Sequence, residues 1–512
     1  MPSAGRGNGE SGVVVVHLID LFVLVVYLMA SVAIGVRLGR NSKGLDGYLL
    51  GGRSLPWWSI LGSIVATETS TATVLSVPGL AYRDEGDFAF LQLAIGYIVG
   101  RLLIIAVLLP RFFEGKLFTA YELLDRRFGR LTQRTTSLLF LAARNAADGL
   151  RLFLSAIALQ HFTGQSFVAC VMVIGVVTIA YTFSGGMKSV VWNDCIQLVI
   201  YVVGSLLALG WLIRQLPHGL DTIWEYAGVH DKFRMFYWEF SWTRKYTFWS
   251  GLIGGAFLTL GTHGTDQLMV QRLLGSRNRR DAGLALGLSG VVVLLQFALF
   301  LFVGVALATF FDVFPPQRTF AKPDEAFSWF IVSALPRGTG LIGLILAAIF
   351  AATMSTLSSS LNASATAAVN DLARPVLGDR LDDEQYVRVS RWATVGFGVV
   401  QMGVACAGLW MRESVVNNVL AVAGFTAGPM LGIFLLGTLT PRVSQSGGLL
   451  GMLAGIGVLF YVYFRTDVAW PWYAMIGSLT TFIAGCLLTA LDRRPPTVRA
   501  EDATTIEGDQ VA

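Results

Sequence analysis

The hydrophobic pattern along the chain is a succession of long apolar runs separated by polar loops. About 20 consecutive apolar residues are needed for a helix to cross the hydrocarbon core of a bilayer. Runs of this kind predict about thirteen transmembrane helices, near residues 13–38, 56–81, 88–110, 133–160, 165–184, 189–213, 246–270, 283–312, 339–370, 389–410, 412–438, 445–464 and 470–491. We therefore expect an all-α integral membrane protein.

The composition supports a protein embedded in a lipid bilayer. Of the 512 residues, 54% are hydrophobic and 14% are charged, whereas a soluble domain carries about 25% charged residues. The formal net charge of +5 indicates basic loops rather than a nucleic-acid surface, so we expect no nucleic-acid partner. The four cysteines lie in apolar runs without C-x-x-C spacing and are interpreted as packing residues.

Lys and Arg are concentrated in alternate short loops, as in the clusters Arg126, Arg127 and Arg130 of the third loop and Arg272, Arg277, Arg279 and Arg280 of the seventh. The positive-inside rule then predicts odd-numbered loops in the cytoplasm of a plasma (inner) membrane, the N-terminus outside and the C-terminus inside. The long loops near 214–245 and 312–338 fall outside. The first is rich in aromatic residues and is a candidate lid over an external vestibule.

Two spans carry polar runs where a lipid-facing helix has none. The second span contains the stretch 66–73, Ala-Thr-Glu-Thr-Ser-Thr-Ala-Thr, and the seventh contains 261–267, Gly-Thr-His-Gly-Thr-Asp-Gln. Polar groups in mid-membrane are costly unless they face an enclosed cavity, which indicates helices that are broken at that depth. The alternative is that Ser and Thr bond to carbonyls of the preceding turn and merely bend a packed helix.

The two broken spans lie five helices apart, which predicts two five-helix halves at 56–213 and 246–438. Broken helices at matching positions indicate the central binding site of an inverted-repeat transporter. Residues 1–55 are interpreted as a leader, an extra helix and the first cytoplasmic loop, and 214–245 as an extracellular loop. Residues 439–492 are interpreted as extra helices, and 493–512 as a cytoplasmic tail.

A third polar stretch lies at 351–362, where Ser355, Ser358 and Ser359 are spaced i, i+3 and i+4 on one helix face. Hydroxyl and carbonyl oxygens suit a small hard cation, whereas a soft metal calls for Cys or His. Hydrogen bonding between packed helices is the alternative. Asp194 can supply the negative charge that the hydroxyls lack, unless it is an interfacial carboxylate paired with Lys188 or a basic loop.

No H-E-x-x-H, G-x-S-x-G or P-loop spacing occurs in the sequence. We therefore expect neither an enzyme nor a bound cofactor. The glycines Gly447, Gly451 and Gly455 favour close helix packing, with dimerisation as the alternative. The oligomeric state is not indicated, and a monomer is sufficient for the expected activity.

Several ordered motifs resemble the sodium:solute symporter family, the sodium-coupled carriers of sugars, proline, sialic acid, vitamins and monocarboxylates. The motifs are 51–58, 119–129, 181–197, 265–272 and 355–362. The resemblance implies a ten-helix inverted repeat of the leucine-transporter type, with the first helix of each half broken and with flanking helices.

The resemblance also implies sodium as the coupling ion and the residues that bind it. The first sodium site would use the carbonyls of Ala66, Thr69 and Ala352 and the hydroxyls of Ser355 and Thr356. The second sodium site, found in some members, would use Asp194, Ser355, Ser358 and Ser359.

By the same resemblance, the solute site is expected to include Glu68, Ser70, Thr73, Phe88, Gln92, Thr262, His263 and Arg144. Sugar carriers have a glutamine at the position of Thr73 and an aromatic residue at that of Thr262, which disfavours a hexose. Sialic acid carriers place an arginine near Ala147, and Arg144 lies one turn away.

Glu68 has several interpretations. It pairs with a substrate amine, assists a sodium ion, titrates, or is neutralised by Arg144 or His263. His263 is more readily interpreted as a neutral hydrogen-bonding core residue than as a substrate contact.

The function expected from the sequence is sodium-coupled symport, in which a small polar organic solute is imported by alternating access. The alternatives are a proton-coupled carrier that uses Glu68 and a passive facilitator of the same fold.

Overall fold

The computed structural model of the chain describes residues 17–39, 44–316, 320, 323–410 and 415–491. The expected leader and the expected tail at 493–512 lie outside the described residues. The principal helices are α1 (Leu18–Gly39), α2 (Gly44–Leu50), α3 (Trp57–Glu68), α4 (Thr71–Tyr82), α5 (Leu91–Phe112), α6 (Glu122–Phe128), α7 (Arg130–Thr163), α8 (Phe167–Gln215), α9 (Leu220–Val229), α10 (Gly255–Gly264), α11 (Gln267–Leu274), α12 (Arg279–Val313), α13 (Asp324–Ser333), α14 (Leu341–Leu377), α15 (Asp383–Ala407), α16 (Val415–Leu439), α17 (Gln445–Arg465) and α18 (Tyr473–Leu491).

Eight helices among the described residues are long and apolar enough to cross a membrane, or nine if the bent pair α3 and α4 counts as one span. The expected thirteen is higher because several predicted spans are charged or interrupted. Helix α7 carries Arg144, Asp148 and Arg151 in the span predicted at 133–160, and α10 and α11 divide the span predicted at 246–270. An all-α membrane protein is thus supported, while the count of thirteen and the inverted repeat stay predictions.

Helix α8 is 49 residues long but is kinked at Gly186, where φ is 54° and ψ is −149°. A Cβ atom there would lie 2.3 Å from the carbonyl oxygen of Tyr48. Glycine alone fits, because the position combines positive φ with close backbone contact. The kink falls between the spans predicted at 165–184 and 189–213.

Helix α14 forms the centre of the molecule. Every residue from 345 to 367 is buried, and the helix packs against α1, α3, α7 and α8. Its Ala, Ser and Thr side chains are small, which lets neighbouring backbones approach closely. The hydroxyl-rich stretch 351–362 is therefore enclosed by protein on all sides.

Helices α17 and α18 pack together through the glycines Gly447, Gly451 and Gly455. A Cβ atom at these positions would lie 2.0 to 2.6 Å from atoms of Thr489 or Thr481. This glycine face is therefore used for packing within the chain.

Candidate functional site

Both polar runs lie at breaks between helices. Helix α3 ends at Glu68, Thr69 and Ser70 are extended, and α4 begins after a bend of 63°. Helix α10 ends before Thr265, and Asp266 caps α11 by accepting a hydrogen bond from the Leu268 amide at 2.8 Å. Each break exposes backbone groups that a continuous helix would pair.

The first break meets the hydroxyl face of α14. The Thr356 hydroxyl lies 3.2 Å from the Thr67 carbonyl and 3.3 Å from the Ala352 carbonyl. Ala66 is buried in the last turn of α3, next to Thr67. The residues expected to form the first sodium site therefore come from two segments that are in contact.

Thr69 lies in the first break and bonds to both α3 and α12. Its hydroxyl donates to the Val65 carbonyl at 2.9 Å and accepts from Nε2 of Gln296 at 2.6 Å. Gln296 of α12 was not anticipated from the sequence, because a single amide in an apolar run gives no signal of what it contacts.

Asp194 is fully buried and is surrounded by hydroxyl groups. Its Oδ1 accepts from Ser355 at 2.7 Å, and its Oδ2 accepts from Ser63 at 2.5 Å, Thr67 at 3.3 Å and Ser359 at 3.4 Å. Helices α3, α8 and α14 supply these groups, which we call the Asp194 cage. Its oxygens are of the type that a hard cation binds.

The cage differs at one residue from the expected second sodium site. The Ser358 hydroxyl donates to the Ser355 carbonyl at 3.2 Å instead of to Asp194. Asp194 is buried rather than interfacial, and its ion pair is not with Lys188 but with Arg272, a residue that the sequence places in a basic loop.

Arg272 of α11 is only 1% exposed and reaches into the cage. Its Nη2 lies 3.2 Å from Asp194 Oδ2 and 2.6 Å from Thr67 Oγ1, and it also bonds to Ser359 Oγ. Its Nε donates to Ser63 Oγ at 2.8 Å. The sequence groups Arg272 with the basic residues of a loop, so its role in the site was missed.

Glu68 has a different arginine partner from the one expected. It forms an ion pair with Arg101 of α5, and its Oε2 lies 3.5 Å from Nε2 of His263. Arg144 is paired instead with Asp148 at 2.7 Å and Asp266 at 3.4 Å. The signal for Arg101 was a single charge in the middle of an apolar run, which is costly in a membrane and marks a buried partner.

His263 is held as a neutral hydrogen-bonding residue. The Thr262 hydroxyl donates to the Leu258 carbonyl at 3.0 Å, so its oxygen accepts from Nδ1 of His263 at 3.0 Å. Nε2 then accepts from Nη2 of Arg101 at 3.2 Å. Glu68, Thr262 and His263 thus come together: Thr262 bonds to His263, and Glu68 and His263 both accept from Arg101.

Ser70 and Thr73 also bond to each other. The Ser70 amide donates to Oγ1 of Thr73 at 3.3 Å, and the two hydroxyls are 3.4 Å apart. This capping box satisfies amide groups at the start of α4.

A small cavity of about 10 Å³, room for about one water molecule, lies beside Ser70. Its polar lining consists of hydroxyls and one guanidinium, from Ser70, Thr71, Arg151, Ser155, Thr353 and Thr356. The Ser155 hydroxyl lies 3.2 Å from that of Thr71 and 3.0 Å from that of Thr353. Arg151 is paired with Asp148 Oδ1 at 2.5 Å. We call this space the hydroxyl cavity.

Phe88 and Gln92 contact the long 214–245 segment rather than Glu68. Gln92 Oε1 accepts from the Tyr237 amide at 3.1 Å, and the Phe88 ring packs against Phe233 with centroids 5.3 Å apart. Nζ of Lys232, which is buried, donates to the carbonyls of Ala81, Arg83 and Asp84. The segment is therefore fastened to the end of α4 and the start of α5.

Comparison with known proteins places these features in a family. The family model of the sodium:solute symporters matches residues 48–455. The human sodium-coupled monocarboxylate transporter 2 is 31% identical over 428 residues, 81% of this chain and 67% of the relative. The sodium/sialic acid symporter of Aliivibrio fischeri is 30% identical over 483 residues, 92% of both chains.

Solved structures agree with these relatives. A Na⁺-coupled sialic acid symporter in a substrate-bound outward-open state matches with a TM-score of 0.85 and 27% identity, covering 93% of this chain and 98% of that one. A nucleobase-cation-symport-1 transporter matches with a TM-score of 0.58 and 13% identity, over 88% and 96% of the two chains, which shows a shared fold. Sodium-coupled symport of a small organic solute, rather than an enzyme activity, is confirmed, and the chain belongs to the sodium:solute symporter family.

Proposed function

We propose that this symporter imports a small carboxylate-bearing solute, which binds beside Arg151 in a conformation in which the hydroxyl cavity is wider. The observation that carries the proposal is the lining of the cavity, one guanidinium among five hydroxyl side chains at the first break. Two relatives, a sodium-coupled monocarboxylate transporter and a sodium/sialic acid symporter, are also carriers of acids.

Arginine is suited to this role because its planar guanidinium donates two parallel hydrogen bonds to a carboxylate. Asp148 bonds to Nη1 of Arg151 and fixes one edge of the group. The hydroxyls of Thr71, Ser155 and Thr353 can each donate or accept, so they suit the hydroxyl or carbonyl oxygens of an organic acid.

The first sodium ion is proposed to bind next to this cavity. Its ligands would be the carbonyls of Ala66, Thr69 and Ala352 and the hydroxyls of Ser355 and Thr356. Thr356 also lines the cavity, so the ion and the solute share one wall. Sodium then holds the first break against α14, and the solute raises the sodium affinity by the same factor as sodium raises the solute affinity.

The number of sodium ions decides whether transport responds to voltage. A carboxylate anion that moves with one sodium ion carries no net charge. A second ion leaves one net charge and adds about 2.3 kcal/mol per 100 mV of membrane potential.

The arrangement in the membrane belongs to the same proposal. Residues 56–213 and 246–438 form the two inverted repeats, the N-terminus lies outside and the C-terminus in the cytoplasm. Alternating access then follows from rocking of one group of helices about the two breaks.

The test is uptake by proteoliposomes that contain the purified protein, with lactate and sialic acid compared with the corresponding neutral amides. We expect uptake of an acid that requires an inward gradient of sodium and is not supported by potassium. Arg151→Gln should lower this uptake at least about tenfold, the effect of losing roughly 1.4 kcal/mol of binding.

Arg111→Gln is the matched control, because Arg111 is exposed and, among the described residues, forms its ion pair with Glu114, three residues later. Equal uptake of acid and amide would contradict a carboxylate solute. Uptake without a sodium gradient would favour the facilitator, and uptake driven by a proton gradient alone would favour coupling through Glu68.

A further inference from the structure

The Asp194 cage already contains a cation, which is the guanidinium of Arg272. Three oxygens converge on Nη2 of this side chain, from Asp194, Thr67 and Ser359. Asp194 and Ser359 are also expected ligands of the second sodium ion. A sodium ion bound to these two oxygens would compete with Nη2 for them.

Simultaneous binding of both cations is unfavourable. Asp194 supplies one negative charge, and the other groups of the cage, Ser63, Thr67, Ser355 and Ser359, are neutral. Two positive charges a few ångströms apart in a buried site repel strongly, since there is little solvent to screen them.

We propose that Arg272 is a tethered cation, and that its guanidinium and a sodium ion occupy the position beside Asp194 in alternation. The hydroxyls of the cage serve either occupant, because a hydroxyl oxygen accepts from a guanidinium and also binds a cation through its lone pairs. Arg272 thereby sets how many sodium ions bind in each state of the transporter.

The exchange links sodium binding to the position of α11. All eight residues of this helix are buried. Nε2 of Gln271 donates to the Leu49 carbonyl at 2.6 Å and to Oγ1 of Thr366 at 2.8 Å. Arg272 ties the same helix to α3, α8 and α14 through the cage. Sodium that displaces Arg272 removes this tie and loosens α11, the inner half of the second broken helix.

The first experiment is equilibrium binding of radioactive sodium to the purified full-length protein without solute. Arg272→Gln should bind a second sodium ion at a concentration at least about tenfold lower than the unmodified protein needs. Asp194→Asn combined with Arg272→Gln should bind one ion only. Arg272→Lys keeps a positive charge and should resemble the unmodified protein.

Arg277→Gln is the matched control, because Arg277 follows α11, is exposed, and donates to the Ser54 carbonyl at 3.2 Å outside the cage. Weaker second-site binding in Arg272→Gln would make Arg272 a structural support and overturn the proposal. Unchanged binding would overturn it as well.

The second experiment needs no variant that could misfold. Amide hydrogen exchange of residues 267–274 in the unmodified protein should be faster in saturating sodium than in potassium, because sodium releases Arg272. Equal or slower exchange in sodium would overturn the proposal. Both experiments omit the solute, so their outcome is independent of whether the solute is a carboxylate.

Discussion

Two carboxylates of this transporter, the fully buried Asp194 and the partly buried Glu68, are each paired with an arginine, yet their surroundings differ. Asp194 and Arg272 are accompanied by four hydroxyl side chains, and Nε, Nη1 and Nη2 of Arg272 all have acceptors. Glu68 is accompanied by Arg101 and His263, and Nε and Nη1 of Arg101 have no hydrogen-bond partner among the described residues. The Asp194–Arg272 pair lies among uncharged hydroxyl groups, whereas the Glu68–Arg101 pair lies beside the imidazole ring of His263.

The difference indicates different roles. Hydroxyls rotate, so the Asp194 cage can exchange one cation for another and remain hydrogen-bonded. Glu68 and Arg101 have few other partners, and removing one leaves the other as an uncompensated buried charge. We infer that the Glu68–Arg101 pair holds the first break in place, whereas Arg272 beside Asp194 can be exchanged for another cation.

The largest expected effect is on stability. Glu68→Gln leaves Arg101 with His263 alone and should cost about 3 kcal/mol, the lower end for breaking a buried pair. Asp194→Asn should cost less, about 1 to 2 kcal/mol, because Arg272 keeps the hydroxyls of the cage and the Leu268 carbonyl as acceptors. Unfolding in potassium, without sodium or solute, measures both.

The double variant Glu68→Gln with Arg101→Gln is the control for this comparison. It should recover much of the loss of the single variant, since no unpaired charge remains. Equal destabilisation by Glu68→Gln and Asp194→Asn would remove the distinction between the two pairs.

A smaller effect is expected on sodium activation of transport. Ser355→Ala should raise the sodium concentration for half-maximal uptake about tenfold, equivalent to roughly 1.4 kcal/mol. Ser355 belongs to both expected sodium sites and bonds directly to Asp194.

Ser358→Ala is the matched variant, one turn away on the same buried face. Its hydroxyl bonds to the Ser355 carbonyl, so we expect a shift of less than about twofold, within the few tenths of a kcal/mol of an indirect change. A shift for Ser358→Ala as large as that for Ser355→Ala would favour the ligand set implied by the family resemblance, which contains both residues, over the observed contacts.

The same comparison shows what the sequence could predict. The breaks at Thr69 and Thr265 were predictable because runs of small polar residues in an apolar span are local signals. Arg101 was also visible as a mid-span charge, although its partner was not. The role of Arg272 could not be predicted. A basic residue near the end of a helix is typical of a loop, and its partner Asp194 lies 78 residues away in the sequence.

Arg144 shows how far spacing along a single helix can predict ion pairs. It was singled out in a span with other charges, with Glu68 considered as its partner. The local acid Asp148, four residues later, and Asp266 of the second break bind it instead. Spacing along a helix predicts pairs within that helix, whereas pairing across the bundle depends on how the helices pack.

The smallest effect concerns the residue that orients His263. Thr262→Val removes the acceptor for Nδ1 of His263 and leaves a buried N–H unpaired, which should cost about 1 kcal/mol in the free energy of unfolding. The Glu68 and Arg101 charges remain paired, so sodium activation should be unchanged. Thr438→Val is the control, because the hydroxyl of Thr438 bonds only to the Phe434 carbonyl of its own helix. A loss as large as that of Glu68→Gln would show that the position of His263, rather than the charge pair itself, holds the first break in place.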